Sequence, residues 1–308
     1  MGSEMRLGWT WLVVGSLCIA ACGGPSSSSS TDGGRESGSL RTPDGSSKSD
    51  SGSSGSGSGS IRGSGSGSGS GTSGSSGTTG SIFISQLLSG ENAKAPELLA
   101  SAEFSNGSQS DNCVKTMQVG SCLGYVCTPV VDAGAPYESA GTLSLAGGKL
   151  ASPLDFATTD EATYALDDTH LDVSAGQTLT VTASGGTVPA FTQSIVAPAG
   201  IDLTKPNVGS GTGSTSTSAD LVVAWSGGQS GDTVLLEGLS GGSAYYFACT
   251  WDATVGTGTV PKAILAELAG QQSAEIEWLE GTTKTFDAGG YAITLTAYVG
   301  GAESVTFE

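Results

Sequence analysis

The chain has 308 residues, with 11 Lys and Arg against 29 Asp and Glu and a formal net charge of −18 at pH 7. A body this acidic repels phosphate backbones, which excludes nucleic acid as a partner. Its one histidine, His170, excludes any mechanism that needs paired imidazoles.

Residues Leu7 to Ala21 form an apolar segment behind a single basic residue, Arg6. Fifteen residues fall short of the roughly 20 a helix needs to cross a hydrocarbon core. A charged start, an apolar middle and a small-residue end are the marks of a secretory signal peptide. Here the small residues stand directly before a cysteine. Ile19-Ala20-Ala21-Cys22 resembles the lipobox of bacterial lipoproteins, in which cleavage before the cysteine leaves it as the lipidated N-terminus. The resemblance implies a signal peptide over 1–21, lipid on Cys22 and attachment to a membrane after export. Gly23 stands where an Asp signals inner-membrane retention in many such lipoproteins, so the outer membrane or cell surface is implied. Myristoylation at Gly2 is not expected, because Arg6 occupies the position where that motif needs a hydroxyl residue.

From Cys22 to residue 81 the chain is nearly all Ser, Gly and Thr, with four basic and four acidic residues in balance. Such a composition buries too little apolar surface to offset the entropy of ordering, so a disordered spacer is expected. As a Gly/Ser coil it has a root-mean-square reach of roughly 40 Å.

Residues 82–308 carry six Lys and Arg and 24 Asp and Glu, a difference of −18 that equals the charge of the whole chain. The pattern there is almost wholly that of strands: short β-branched and aromatic runs alternate with period two between Gly, Asn, Asp and Ser. Leu143 and Leu145 share a face, as do Leu179 and Val181, and as do Leu221, Val223 and Trp225. Tyr245, Phe247, Cys249 and Trp251 form another set, and Tyr291, Ile293, Leu295, Ala297 and Val299 the longest. Residues 82–88 read as strand or helix, and Pro96-Glu97-Leu98-Leu99 as a possible helical turn. The expectation is a mainly β protein of two antiparallel β-sandwich (Ig-like) domains, 82–205 and 219–308. The Gly/Ser/Thr-rich stretch 206–218 would be the linker between them, and a short helix over 261–269 breaks the pattern. Pro261 suits its first turn and Gly270 its end, with Ile264, Leu265 and Leu268 on one face.

With Cys18 lost with the signal and Cys22 lipidated, four cysteines remain: Cys113, Cys122, Cys127 and Cys249. An even number in an exported chain points to two disulfides among three possible pairings. Strands at 113–118 and 122–127 joined through Val119-Gly120-Ser121 would set Cys113 opposite Cys127, leaving Cys122 for Cys249. The rival, a zinc site, needs a spacing that these cysteines lack.

Chemistry elsewhere is thinly signalled. Gly238-Leu239-Ser240-Gly241-Gly242 fits the G-x-S-x-G nucleophile elbow in form, but that motif needs a strand-to-helix turn and a nearby histidine. Flanking strand patterns make it a hairpin turn instead. Asp167-Asp168, amid other carboxylates and placed on a loop, is the weak candidate for Ca²⁺. Trp251 and Trp278 share faces with core residues. Tyr246 and Tyr298 fall on the opposite faces and are the candidates for a ligand-stacking surface.

Residues 99–308 resemble the β-rich surface lipoproteins that Gram-negative bacteria carry behind a Ser/Gly spacer. The resemblance rests on Cys113, Cys122 and Cys127, on Asp220–Gly228, and on Thr259-Val260-Pro261 with its helix. It implies no catalytic residues and no cofactor. The sequence therefore reads as a lipid-anchored, non-enzymatic binding or structural module, whose partners would be the membrane through Cys22 and a cell-wall glycan or another surface protein. The alternative is a secreted glycan-processing hydrolase with an unrecognised carboxylate site.

Overall fold

A computed structural model describes residues 77–88, 96–107, 113–127, 137–159, 162–168, 176–206, 213–240, 245–269 and 274–308. The signal peptide, Cys22, nearly all of the spacer and His170 lie outside the described residues.

The described chain is mainly β. Its strands are β1 (Thr78–Leu87), β2 (Glu97–Asn106), β3 (Cys113–Val119), β4 (Cys122–Cys127), β5 (Leu143–Gly147), β6 (Leu154–Asp155), β7 (Ala157–Thr158), β8 (Tyr164–Asp168) and β9 (Thr178–Ala183). The series continues with β10 (Phe191–Val196), β11 (Ile201–Lys205), β12 (Gly213–Thr215), β13 (Leu221–Gly227), β14 (Thr233–Ser240), β15 (Tyr245–Asp252), β16 (Thr257–Val260), β17 (Ala274–Ala288) and β18 (Tyr291–Phe307). The helix α1 is Lys262–Leu265, extended by a 3-10 turn over Ala266–Leu268.

Three sheets result. An 11-stranded sheet runs β3-β4-β15-β14-β17-β18-β1-β2-β8-β7, with β12 also on β18. A four-stranded sheet runs β10-β9-β5-β6, and a three-stranded one β11-β13-β16. Pairing is antiparallel except where β1 and β12 lie parallel to β18.

Both small sheets pack on one face of the long sheet, the first face, and make two sandwiches side by side. In one, Ile82, Ile84, Leu98 and Phe104 meet Leu143, Leu145, Leu179 and Val181, with Ile293 and Leu295 from β18. In the other, Val223 and Trp225 meet Val234, Leu236, Phe247, Ile276 and Phe307. The expected inward sets at 143–145, 179–181 and 291–299 are buried there. Ile264, Leu265 and Leu268 of the helical segment close the second core, each fully buried.

Strand pairing departs from the expected domain plan in three ways. The chain leaves one small sheet at Val196 and enters the other at Ile201, so the crossing precedes 206–218. That stretch connects β11 to β13, neighbours in one sheet, and contains β12. Second, β3 and β4 come from the first half of the sequence but extend the second sandwich through β15. Third, Thr78–Ser81, assigned to the spacer, are the start of β1 and pair with β18. The possible helical turn at Pro96 is absent too: β2 begins at Glu97, because alternate residues Leu98, Ala100, Ala102 and Phe104 fit a two-residue period and are buried.

The β17–β18 hairpin serves both sandwiches, and connectivity dictates its shape. Through the ladders, Ser105 of β2 lies level with Ala292 of β18, and Lys115 of β3 lies level with Ser304. Twelve residues of straight strand cover about 40 Å, whereas the six Cα steps from Gly107 to Cys113 reach at most about 23 Å. The long sheet therefore cannot lie flat. Gly300 and Gly301 are where β18 presses on β17: a Cβ at Gly300 would enter the backbone of Trp278, and one at Gly301 its indole.

Candidate functional site

The second face of the long sheet carries the most unusual chemistry in the molecule. Sheet alternation places Phe83, Tyr125, Leu235, Leu239, Tyr246, Leu279 and Tyr298 there, and they form a third buried cluster. Tyr125 and Tyr246 are directly opposed on β4 and β15, with rings stacked at 4.8 Å and 8°. Tyr298 lies over Gly281, its partner on β17, where a side chain would enter the ring. Tyr246 and Tyr298 do fall opposite the core tryptophans, as their alternation requires. Both are nonetheless buried, at 1% and 7% exposure, so neither offers a solvent-facing stacking surface. The reason is that this part of the second face is buried as well, which two-residue periodicity does not reveal.

Within this apolar surround stand two carboxyl groups, Glu237 on β14 and Glu277 on β17, as directly opposed Cα partners. Glu237 is fully buried and neither of its oxygens has a hydrogen-bond partner. Desolvation pushes its pKa up to about 8. Glu277 is likewise raised well above the carboxylate range by burial, then by Glu237 and Glu275. A glycosidase would need one acid and one base in contrasting environments within reach of a sugar. Here both groups are pushed the same way and both are buried, so the pair is not a catalytic dyad. Glu237 shares its face with buried Leu235 and Leu239 and lies opposite buried Ala248, which together remove it from water.

The cysteines pair as Cys113–Cys127 and Cys122–Cys249, spanning 14 and 127 residues of chain. Each joins Cα partners on adjacent strands, so the first closes the β3–β4 hairpin and the second fastens that hairpin to β15. The long bridge thus works within the second sandwich and not between two sequential domains.

Asp167 and Asp168 are the last two residues of β8, opposite Leu99 and Leu98, and not on a loop. Ser240 ends β14, and the next described element is the antiparallel strand β15 from Tyr245, not the helix that follows the serine of a nucleophile elbow; Gly241 and Gly242 lie outside the described residues. Trp225 is buried and donates Nε1–H to the Ala253 carbonyl at 2.8 Å; Trp251 packs beside it at 5.8 Å. Trp251 and Trp278 both pack against the second core.

A further carboxylate, Glu280, was not signalled by the sequence. It lies on the first face of β17 and is fully buried. It accepts N–H from Gln229 at 2.7 Å and from Gly200. Burial raises its pKa most; those amides oppose the rise and the neighbouring Asp232 adds to it.

No family model and no curated protein matches the chain. Among solved structures it is similar to a "Ca2+-stabilized adhesin" that "helps an Antarctic bacterium reach out and bind ice". The identity is 16% and the TM-score 0.19, over 75% of this chain and 49% of that one, so it spans about half that structure's length. A structure concerned with host cell surface retention of a 1.5-MDa bacterial ice-binding adhesin is similar at 15% identity and TM-score 0.18, covering 69% and 75% of the two chains. A two-domain fibronectin type III segment of chicken tenascin follows at 10% and 0.19, over 60% and 95%. Likeness at this level transfers no residue role.

Proposed function

We propose that this is a lipid-anchored surface lipoprotein whose β-sandwich body, carried on a Ser/Gly tether, binds or structurally decorates and does no chemistry. The observation that carries the reading is the agreement of two separate regions on one compartment. Ile19-Ala20-Ala21-Cys22 has the form of an export and lipidation signal, and both pairs of the remaining cysteines are oxidised. Disulfides persist in exported proteins and are rare where the cytosol keeps thiols reduced. The charge of −18 adds a reason for an anchor, since an anionic lipid surface repels this body.

Replacing Cys22 by Ala tests the anchoring: the variant is expected in the soluble fraction while the parent sediments with membranes. Incubating the protein with peptidoglycan and common polysaccharides tests the role. Retention without released product is the expected outcome, and product release would instead support a glycan-processing hydrolase.

A further inference from the structure

Glu280, Asp232 and Thr282 converge where the two sandwiches meet. Glu280 and Thr282 are two apart on β17 and so face the same way. The Thr282 hydroxyl donates to Asp232 Oδ1 at 2.6 Å, and the Asp232 carboxyl is within hydrogen-bond reach of Glu280. One loop holds them together: the Gln229 amide donates to Glu280 Oε1, and the Asp232 amide donates to the Gln229 carbonyl at 3.2 Å. Gly200, the other donor to Glu280, lies in the link between the four-stranded and three-stranded sheets.

The two amides favour the ionised Glu280, yet burial and the carboxyl at contact with it work against that charge. No basic side chain contributes to Glu280's electrostatics. Glu280 Oε2 is buried with no hydrogen-bond partner, on a side chain that the Asp232 carboxyl reaches. Asp232 itself is only partly buried, which leaves the pair a route to solvent.

We propose that Asp232 and Glu280, with the Thr282 hydroxyl, form a binding site for a hard divalent cation, Ca²⁺. Carboxylate and hydroxyl oxygens are its preferred donors, and water completes its shell of six to eight. The ion neutralises the paired charge, takes up the free lone pairs of Oε2, and ties the 229–232 loop to β17 beside the inter-sandwich link. Only two protein carboxylates place its dissociation constant in the weak range, on the order of 10⁻⁴–10⁻³ M. This site differs from Asp167-Asp168 and does not depend on the lipoprotein reading.

The test uses the full chain, stripped with EGTA and then titrated with CaCl₂ while the thermal midpoint and calorimetric binding are followed. Calcium at millimolar concentration is expected to raise the midpoint by a few degrees. Asp232→Asn, a change at a partly exposed residue, is expected to weaken binding at least tenfold and abolish the rise, as is Glu280→Gln. A variant carrying both Asp167→Asn and Asp168→Asn is expected to respond like the parent. Absence of a calcium response in the parent overturns the site. Undiminished binding by Asp232→Asn, or binding lost in the Asp167/Asp168 variant, overturns it as well.

Discussion

Glu237 shows how much a single residue's surroundings change its chemistry. A carboxyl group with an ordinary pKa of 4.5 in the unfolded chain and about 8 in the fold binds its proton more tightly when folded. Its contribution is therefore fully present below about pH 4.5 and is lost as the pH rises toward 8, the direction opposite to that of a salt-bridged carboxylate. Glu277 beside it acts with the same sign. The thermal midpoint is expected to fall between pH 5 and pH 9, and Glu237→Gln, which keeps the shape and removes the titration, is expected to flatten that fall. Circular dichroism melts at several pH values check this; an equally steep fall in the variant would show that Glu237 is not the group responsible. Gly281 is a second residue-scale test. Its Cβ would enter the buried Tyr298 ring, so Gly281→Ala is expected to cost about 1–3 kcal/mol in denaturant titration.

At the scale of elements, β3 and β4 are fastened both by packing and covalently. Val114 is 65% exposed and β3 is the edge of the long sheet, while Cys122 and Tyr125 of β4 are buried. Cys122–Cys249 closes a loop of 127 residues, which limits the unfolded chain by about 4–5 kcal/mol in the chain-entropy account. Cys249→Ala is expected to lower the denaturant midpoint by a comparable free energy, and reductant is expected to lower the parent's midpoint by more than the variant's, which has only Cys113–Cys127 left to lose. The helical segment was legible in its sequence because proline and apolar spacing act locally. Pro261 is its N-cap, and the N–H of Lys262 is taken by Asp220 at 2.8 Å. Leu268→Ala, truncating a fully buried side chain there, is expected to cost 2–5 kcal/mol, a typical range for such core truncations.

At the scale of the whole molecule, the shared sheet makes the two halves of the sequence interdependent. Fragments 82–205 and 219–308 are expected not to fold separately, since β1 needs β18 and β4 needs β15. A cooperative melt from either fragment alone would refute that. What the sequence by itself determined is what short-range chemistry and alternation carry: the mainly β class, the inward residues of strands such as 143–145, 179–181 and 291–299, the small helix and the opposed Cys113 and Cys127. Export and lipidation at Cys22 stand as its expectation and are proposed on that ground. Only the tertiary structure decided which strands from distant parts of the chain share a sheet, because hydrogen-bonded ladders are indifferent to sequence order. It also decided that part of the second face is buried, with Tyr246, Tyr298 and Glu237 in it, since alternation distinguishes two faces of a strand but cannot say whether water reaches either. The carboxylates at Asp232 and Glu280 lie 48 residues apart in the chain, and pairing of β14 with β17 alone brings them together.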